Sequence, residues 1–220
     1  MKTEIAFLIK FGKKEHLTRL LKEGEIYMNS IEWFKNHEKD GVGDLYEGAM
    51  EIKNYKQGTL TLKLDDKPLV FPNSSLQLRK YHEGHIGNIF SSYALHPQLL
   101  KRKSIHRIDK RMLKFGDHCL LIRNTLKFYN SINNRLKELG ISCSHNLVRY
   151  KNFKRDEINL SLFEKSHLLA YQKEHRIIAW TKSSEPLKFK IGSIEEYAEL
   201  FDAERIVNNA TLDFKPNIIA

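Results

Sequence analysis

Apolar and polar positions alternate between two periods along this chain. Residues 5–11, Ile-Ala-Phe-Leu-Ile-Lys-Phe, are a nearly unbroken apolar run closed by Gly12, which predicts a buried strand. Residues 13–22 then place Leu17, Leu20 and Leu21 on one helical face, and Gly24 supplies the stop. A second short strand is expected over 25–29. Ser30 follows as the cap of a helical turn with Ile31, Trp33 and Phe34 turned inward. Residues 36–48, with Gly41, Gly43 and Gly48 among acids, read as a flexible loop in which Asp44 and Glu47 are solvated.

Further on, residues 51–64 predict a strand pair turning at Lys56-Gln57-Gly58, with Leu60, Leu62 and Leu64 alternating. Residues 88–95 and 118–123 read as strands. A helix opens at Asn124 or Thr125 and runs to Leu139, with Leu126, Ile132, Leu136 and Leu139 as its stripe. A short strand at 147–150, a helix at 160–169, strands at 174–180 and 187–191, and a helix at 193–201 complete the series. Strands and helices are mixed without a regular βαβ alternation. That predicts an α+β fold in a single domain spanning 1–220 rather than a doubly wound nucleotide fold. Neither GxGxxG nor GxxxxGK[ST] occurs.

Composition changes this picture in one respect. At 41% hydrophobic and 29% charged the chain is ordinary, but its formal net charge is +10. An excess of that size favours a polyanionic partner such as nucleic acid, or else reflects a solvated lysine-rich surface. The excess concentrates in Lys101, Arg102, Lys103, Arg107, Lys110, Arg111 and Lys114, against a single acid, Asp109. Such a run could contact several phosphates or form the outer face of a helix. The two cysteines, Cys119 and Cys143, suggest neither a disulfide framework nor zinc. No span of ~20 apolar residues and no secretory leader pattern is present, so a cytoplasmic location without a membrane partner is expected.

Three clusters could carry chemistry. Gln172 and Glu174 stand at the mouth of a strand, where a period of two puts both on one side. An amide beside a carboxylate can hold a polyol such as ribose, and the carboxylate can stabilise positive charge on an adjacent sugar carbon. The alternative is an ion pair between Glu174 and Arg176 on the same strand face. Phe90-Ser91-Ser92-Tyr93 sets two hydroxyls beside aromatics, although strand serines often bond only locally. The third cluster is Tyr27-Met28-Asn29-Ser30, with Tyr27 read as core, beside the acidic loop. No metal site is expected. His82 and His85 lack a third ligand, and the spacing of Asp44 and Glu47 fails.

In chain order these clusters resemble the arginine-type members of the ADP-ribosyltransferase superfamily. Those proteins carry a basic residue on the first strand, a Ser-Thr-Ser-like strand in the middle and a Gln/Glu-x-Glu motif late. The matching positions here are Lys10, Phe90-Ser91-Ser92-Tyr93 and Gln172-x-Glu174, with Lys10 in place of the usual arginine and no third hydroxyl. Most of the chain also resembles uncharacterised bacterial and phage-associated proteins through Leu21-x-x-Gly24-x-Ile26-Tyr27-Met28-Asn29-Ser30, Gly43-Asp44-x-x-Glu47-Gly48, Val148-x-Tyr150 and Tyr171-Gln172-x-Glu174-x-Arg176.

The resemblance implies a split, mostly antiparallel sheet with flanking helices, and NAD as co-substrate. Lys10 would lie near the phosphates, and Tyr27 or Phe34 against the nicotinamide. Phe11, Asn29, Ser30, Ser91 and Ser92 would complete the cofactor side, with Ser91 at the ribose. Glu174 would stabilise the breaking bond and Gln172 would position the acceptor. It also implies a toxin or anti-phage effector, restrained by an antitoxin or chaperone. The basic run suggests RNA, then DNA, as acceptor, with Tyr81, Tyr93 or Tyr129 as exposed stacking aromatics. Two other readings compete. One is a non-enzymatic basic nucleic-acid-binding module. The other is a metal-independent ribonuclease toxin using Glu174 with His175 or His167.

Overall fold

The computed structural model describes residues 5–37, 43–64, 67–84, 87–96 and 107–210. The fold is mixed α and β, and among the described residues every strand pairing but one is antiparallel. Strand β1 (Phe7–Gly12) leads into helix α1 (Lys14–Glu23), which ends where Gly24 turns left-handed at φ 65°. Strand β2 (Glu25–Ser30) runs straight into helix α2 (Ile31–Asn36). Ser30 Oγ caps that helix by accepting from the Trp33 N–H at 3.1 Å. Strands β3 (Ala49–Tyr55), β4 (Leu60–Leu62), β5 (Leu69–Phe71) and β6 (Leu76–Tyr81) follow, then β7 (Asn88–Leu95).

A 3₁₀ helix (Lys110–Phe115) precedes β8 (His118–Ile122), and Asn124 caps helix α3 (Thr125–Glu138). Short strands β9 (Cys143–Leu147), β10 (Arg149–Lys151), β11 (Glu157–Asn159) and β12 (Glu164–Ser166) lead to a second 3₁₀ helix (His167–Gln172). Strands β13 (Glu174–Ala179), β14 (Leu187–Lys190) and β15 (Ala198–Asp202) and helix α4 (Ala203–Asn209) complete the described chain.

The main sheet turns on β7. One edge of β7 pairs with the whole length of β13, from Tyr93↔Glu174 to Asn88↔Ala179, and β9 lies beyond β13. The other edge is shared. Strand β1 takes residues 93–95 and continues outward to β8 and β15, whereas β2 takes residues 88–89 and continues to β14. The sheet therefore divides at Phe90, Ser91 and Ser92.

Side chains on one face of the sheet, including Leu8, Ile26, Met28, Phe90, Leu120 and Ile177, pack under α1 and α3 in the largest core. The other face carries two smaller clusters. Ile9, Phe11, Tyr93 and Cys119 lie under the first 3₁₀ helix and α4, while Ile89 and Ile178 lie under Ile31 and Leu162. Ser91, Glu174 and Arg176 sit in the polar seam between them.

Several expectations need correction. The segment at 160–169 is not a helix, because its backbone joins β10 in the one parallel pairing and then tightens into a 3₁₀ turn. The segment at 193–201 turns once and becomes β15, completing the open edge of β8. Strand β3 pairs with β6 and β11, and β4 pairs with β5, so residues 51–64 are not a hairpin on themselves. The expected strand at 147–150 is divided between β9 and β10. The buried stripe of α3 is Phe128, Ile132 and Leu136 at helical spacing, whereas Leu126 and Leu139 are exposed. Among the described residues no helix is long and apolar enough to cross a membrane.

Candidate functional site

Strand β13 is buried at all six positions. Even-numbered residues face the seam and odd-numbered ones face α3, as a period of two requires. Glu174 and Arg176 therefore lie side by side on the seam face, cross-strand from Tyr93 and Ser91. The Glu174 Oε1 accepts from Ser91 Oγ at 2.6 Å and from Arg176 Nε at 2.9 Å. Its Oε2 lies 2.8 Å from Lys165 Nζ, yet accepts no well-aligned hydrogen bond. The Glu174 backbone N–H donates to Tyr150 Oη at 2.9 Å, which fixes where the strand begins.

Arg176 joins two carboxylates. Its Nη1 and Nη2 donate to Glu47 Oε1 and Oε2 at 2.7 and 3.0 Å, and Nη1 also meets the Leu162 carbonyl. This fork-to-carboxylate geometry is the strongest that arginine makes. Asp44 anchors the turn carrying Glu47 by accepting from the Tyr46 N–H at 2.9 Å. Burial would raise the Glu174 carboxyl, but the charges and hydrogen bonds of Arg176 and Lys165 outweigh it and hold the group well below the ordinary carboxylate range. For Glu47 burial dominates, and its carboxyl is pushed up against the pull of Arg176. Burial opposes the charge on Arg176 as well, but Glu174 and Glu47 raise its pKa further. Glu174 is thus a buried carboxylate whose charge its neighbours favour, with one oxygen bonded by Ser91 and Arg176 and the other facing Lys165.

Gln172 reaches this group by an unexpected route. It ends the second 3₁₀ helix rather than lying on the strand, and Lys173 turns left-handed at φ 41° between it and Glu174. Lys165 restores the pairing, because its Nζ donates to Gln172 Oε1 at 3.2 Å while facing Glu174. Lys10 points to the opposite face from Glu174, over the Phe90 ring, and its Nζ crosses the division in the sheet to donate to the Ser91 carbonyl at 2.7 Å. Burial, against the attraction of Glu174, brings its pKa down to about 8.

Of the remaining sequence-chosen residues, Asn29 lies on the seam face beside Ile89, with a buried Oδ1 that has no hydrogen-bond partner. Phe34 packs against the cluster of Ile31 and Ile178. Phe11 is core, edge-on to Tyr93, and Ser30 serves as the cap of α2. Ser92 faces away from the seam, beside His175. Tyr27, expected in the core, is 42% exposed, with Lys188 over its ring. Tyr93 is buried and so is no stacking surface, while Tyr81 and Tyr129 are half-buried. Asp44 and Glu47, expected in solvent, are both buried. His175, adjacent to Glu174, points to the other face and cannot share a reacting atom with it, and His167 is exposed.

Arg107, Lys110, Arg111 and Lys114 are exposed on and beside the first 3₁₀ helix, whereas Lys101, Arg102 and Lys103 lie outside the described residues. Arg111 is tied to Asp109 and stacks 3.9 Å over the ring of Tyr171, the neighbour of Gln172. Among the described residues no group of His, Cys, Asp and Glu is placed to hold a metal.

Sequence reasoning missed Glu47 and Lys165. One signal pointed to the first. An arginine at the head of the apolar run Ile177-Ile178-Ala179 needs buried counter-charge, and one glutamate two residues away leaves the guanidinium fork half empty. Compared with protein-family models, curated proteins and solved structures, the chain matches none.

Proposed function

We propose that the protein is an NAD-dependent ADP-ribosyltransferase that modifies nucleic acid, RNA before DNA, as a toxin or anti-phage effector of the cytoplasm. The observation that carries this reading is convergence. Lys10, Ser91 and Glu174 come from three distant parts of the chain, yet Lys10 Nζ lies 2.7 Å from the Ser91 carbonyl and Ser91 Oγ lies 2.6 Å from Glu174 Oε1. Ser91 and Glu174 meet on one face where β1 and β2 part along β7, and Lys10 reaches the same Ser91 from the other face, a division that fits the split sheet of that superfamily.

The seam also has the hydrogen-bonding character that NAD requires. Asn29 Oδ1 is a buried acceptor without a hydrogen bond, suited to a carboxamide N–H, and Glu174 Oε2, on the same sheet face, is held by Lys165 Nζ alone at 2.8 Å, which leaves it lone-pair capacity for a ribose hydroxyl. NAD would supply an ADP-ribosyl group on a breakable bond between ribose and a cationic nitrogen. Glu174 would hold a ribose hydroxyl and its fixed negative charge would stabilise the positive charge that develops on the ribose carbon. Ser91 and Arg176 keep that carboxylate in place. Gln172, tied through Lys165, would position the acceptor. Lys10, spent on the Ser91 carbonyl, would shape the division in the sheet rather than grip a phosphate directly. The acceptor side is supported by Arg111 on Tyr171 with Lys110 and Lys114 exposed nearby, cations able to meet a phosphate backbone. An antitoxin or chaperone that covers this side would restrain it.

Purified protein incubated with labelled NAD and total RNA, DNA or protein should release nicotinamide and label nucleic acid. Glu174→Gln should lose activity by about a hundredfold or more. Absence of both transfer and nicotinamide release would sink the reading. Cleavage of RNA without NAD would favour the ribonuclease. Salt-sensitive binding that is identical in the variant would favour a passive nucleic-acid-binding module.

A further inference from the structure

Lys165 stands between the two halves of the Gln172-x-Glu174 pair and decides what each can offer. It is buried on β12, in the parallel pair with β10, opposite Tyr150, whose hydroxyl receives the Glu174 N–H. From there its Nζ lies 2.8 Å from Glu174 Oε2 and donates to Gln172 Oε1 at 3.2 Å. An ammonium has only N–H groups to give, so the oxygen of the buried Gln172 amide must be the atom turned to it. The Gln172 Nε2 is directed instead at Tyr171 Oη, across a long contact of 3.5 Å that a better acceptor can displace.

Beyond Tyr171 the donors continue. Arg111 lies 3.9 Å over the Tyr171 ring, and Asp109 accepts from its Nε and Nη2, two of the five N–H groups a guanidinium carries. Lys110 and Lys114 are exposed on the same 3₁₀ helix. An acceptor brought to the Gln172 amide must therefore take hydrogen bonds rather than give them. That excludes a guanidinium or an amine, which Lys165 and Arg111 also repel. It must attack without first losing a proton to its neighbours, because the two groups bonded to the amide are an ammonium and a phenol. An anionic oxygen meets both conditions, and the charge of Lys165 separates it from that of Glu174.

We infer that the group modified is a terminal phosphate monoester of the nucleic acid. This assignment rests on the transferase reading, which supplies the ribosyl donor. A phosphate oxygen forms the bond to the ribose carbon as the bond from that carbon to the nicotinamide nitrogen breaks. The leaving electron pair neutralises the pyridinium, no proton changes hands, and the product is a phosphodiester that keeps one negative charge. An internal phosphodiester has a single charge to share and would become a neutral triester, whereas a monoester carries nearly two charges at neutral pH. Gln172 Nε2 and Arg111 would hold the two oxygens that do not attack.

Labelled NAD and wild-type protein should be mixed with one RNA sequence bearing a 5′-phosphate, a 3′-phosphate or hydroxyls at both ends, with the DNA counterparts, and with agmatine as a guanidinium. Label should enter a phosphorylated strand and neither the hydroxyl-ended strands nor agmatine. Phosphatase treatment beforehand should abolish it, and treatment afterwards should leave it in place. Gln172→Glu, which sets a carboxylate against the phosphate, should lower the ratio of transferred label to released nicotinamide about tenfold or more. His167→Ala, at the exposed imidazole that opens the same 3₁₀ helix as Gln172, should transfer at the wild-type rate, since no base is called on. If Gln172→Glu does not fold, the wild-type comparison of strand ends decides alone. Nicotinamide released with label on hydroxyl-ended strands or agmatine, or with no label at all, overturns the inference and leaves NAD cleavage standing. So does an unchanged ratio in folded Gln172→Glu, or loss of transfer in His167→Ala. If no mixture releases nicotinamide, the transferase reading itself has failed and this assignment falls with it.

Discussion

The two faces of β13 solve one physical problem in opposite ways. Glu174 and Arg176 face the seam, His175 faces α3, and all three are 3% exposed or less. Removing charge from water costs several kcal/mol per ion unless it is compensated. On the seam face the compensation is pairing, with Glu47, Arg176, Glu174 and Lys165 alternating in sign along one chain of contacts. On the opposite face it is neutrality. His175 Nε2 meets His145 Nδ1 at 3.1 Å, and burial together with the His145 ring brings the pKa of His175 down to about 3. The seam face instead holds four ionisable side chains of alternating sign in contact.

The largest effect expected on this contrast is at Arg176. Arg176→Met leaves the Glu47 and Glu174 carboxylates buried without their common partner, and should cost about 3–5 kcal/mol in urea unfolding. Arg176→Lys keeps the charge but loses the bidentate fork and should fall between. A cost below about 1 kcal/mol for the methionine variant would mean that the seam admits water, and that the two faces are not under the same constraint.

Acid should separate the faces by pH. Unfolded His175 takes up a proton near pH 6.5, whereas the folded residue resists down to about 3. Between those values the unfolded state binds the extra proton, so stability falls with falling pH by about 1.4 kcal/mol per unit from this residue. Glu174, held below its ordinary value of 4.5, adds a loss only beneath that pH. The raised Glu47 carboxyl acts in the opposite direction just above pH 4.5, since the folded state takes up its proton first. His175→Leu should therefore remove the fall in stability between pH 6.5 and 4.5 and leave the steeper limb below it. A wild type and a His175→Leu variant with the same profile from 6.5 to 4.5 would show the histidine to be charged or open to solvent in the fold.

Much of this was legible in sequence because it is local. Apolar runs closed by Gly12 and Gly24 place β1 and α1, the Asn124 cap places α3, and Ser91 and Glu174, which touch in the fold, each stand out in a local cluster. What was not legible depends on distant partners. A helical pattern at 193–201 yields to strand because β8 has an edge to fill, and β3 finds its partner β6 only after β4 and β5 intervene. Glu47 looked like any loop acid, since nothing near it in sequence announces an arginine 129 residues away. Lys165 was hidden within a segment read as helix.

Tyr150→Phe tests the entry to the charged face. The Glu174 N–H would lose its acceptor at a buried strand start, at a cost of about 1–2 kcal/mol. A stability change within a few tenths of a kcal/mol would show that another group or a water takes over, and that Tyr150 does not set where β13 begins.

The smallest expected change in stability is the most informative about purpose. Ser91→Ala removes one donor to Glu174 Oε1, but Arg176 Nε still bonds that oxygen at 2.9 Å and the hydroxyl is only half-buried. Its stability cost should be about 1 kcal/mol. If the charged face exists only to hold the fold together, any loss of NAD turnover in this variant should follow its small loss of folded protein. If the face exists to aim a carboxylate, turnover per folded molecule should fall about tenfold or more while the melting temperature barely moves. Ser91→Thr, which keeps the hydroxyl, should recover most of it. Equal turnover in wild type and Ser91→Ala would place Glu174 with His175, as a buried polar group managed for stability alone.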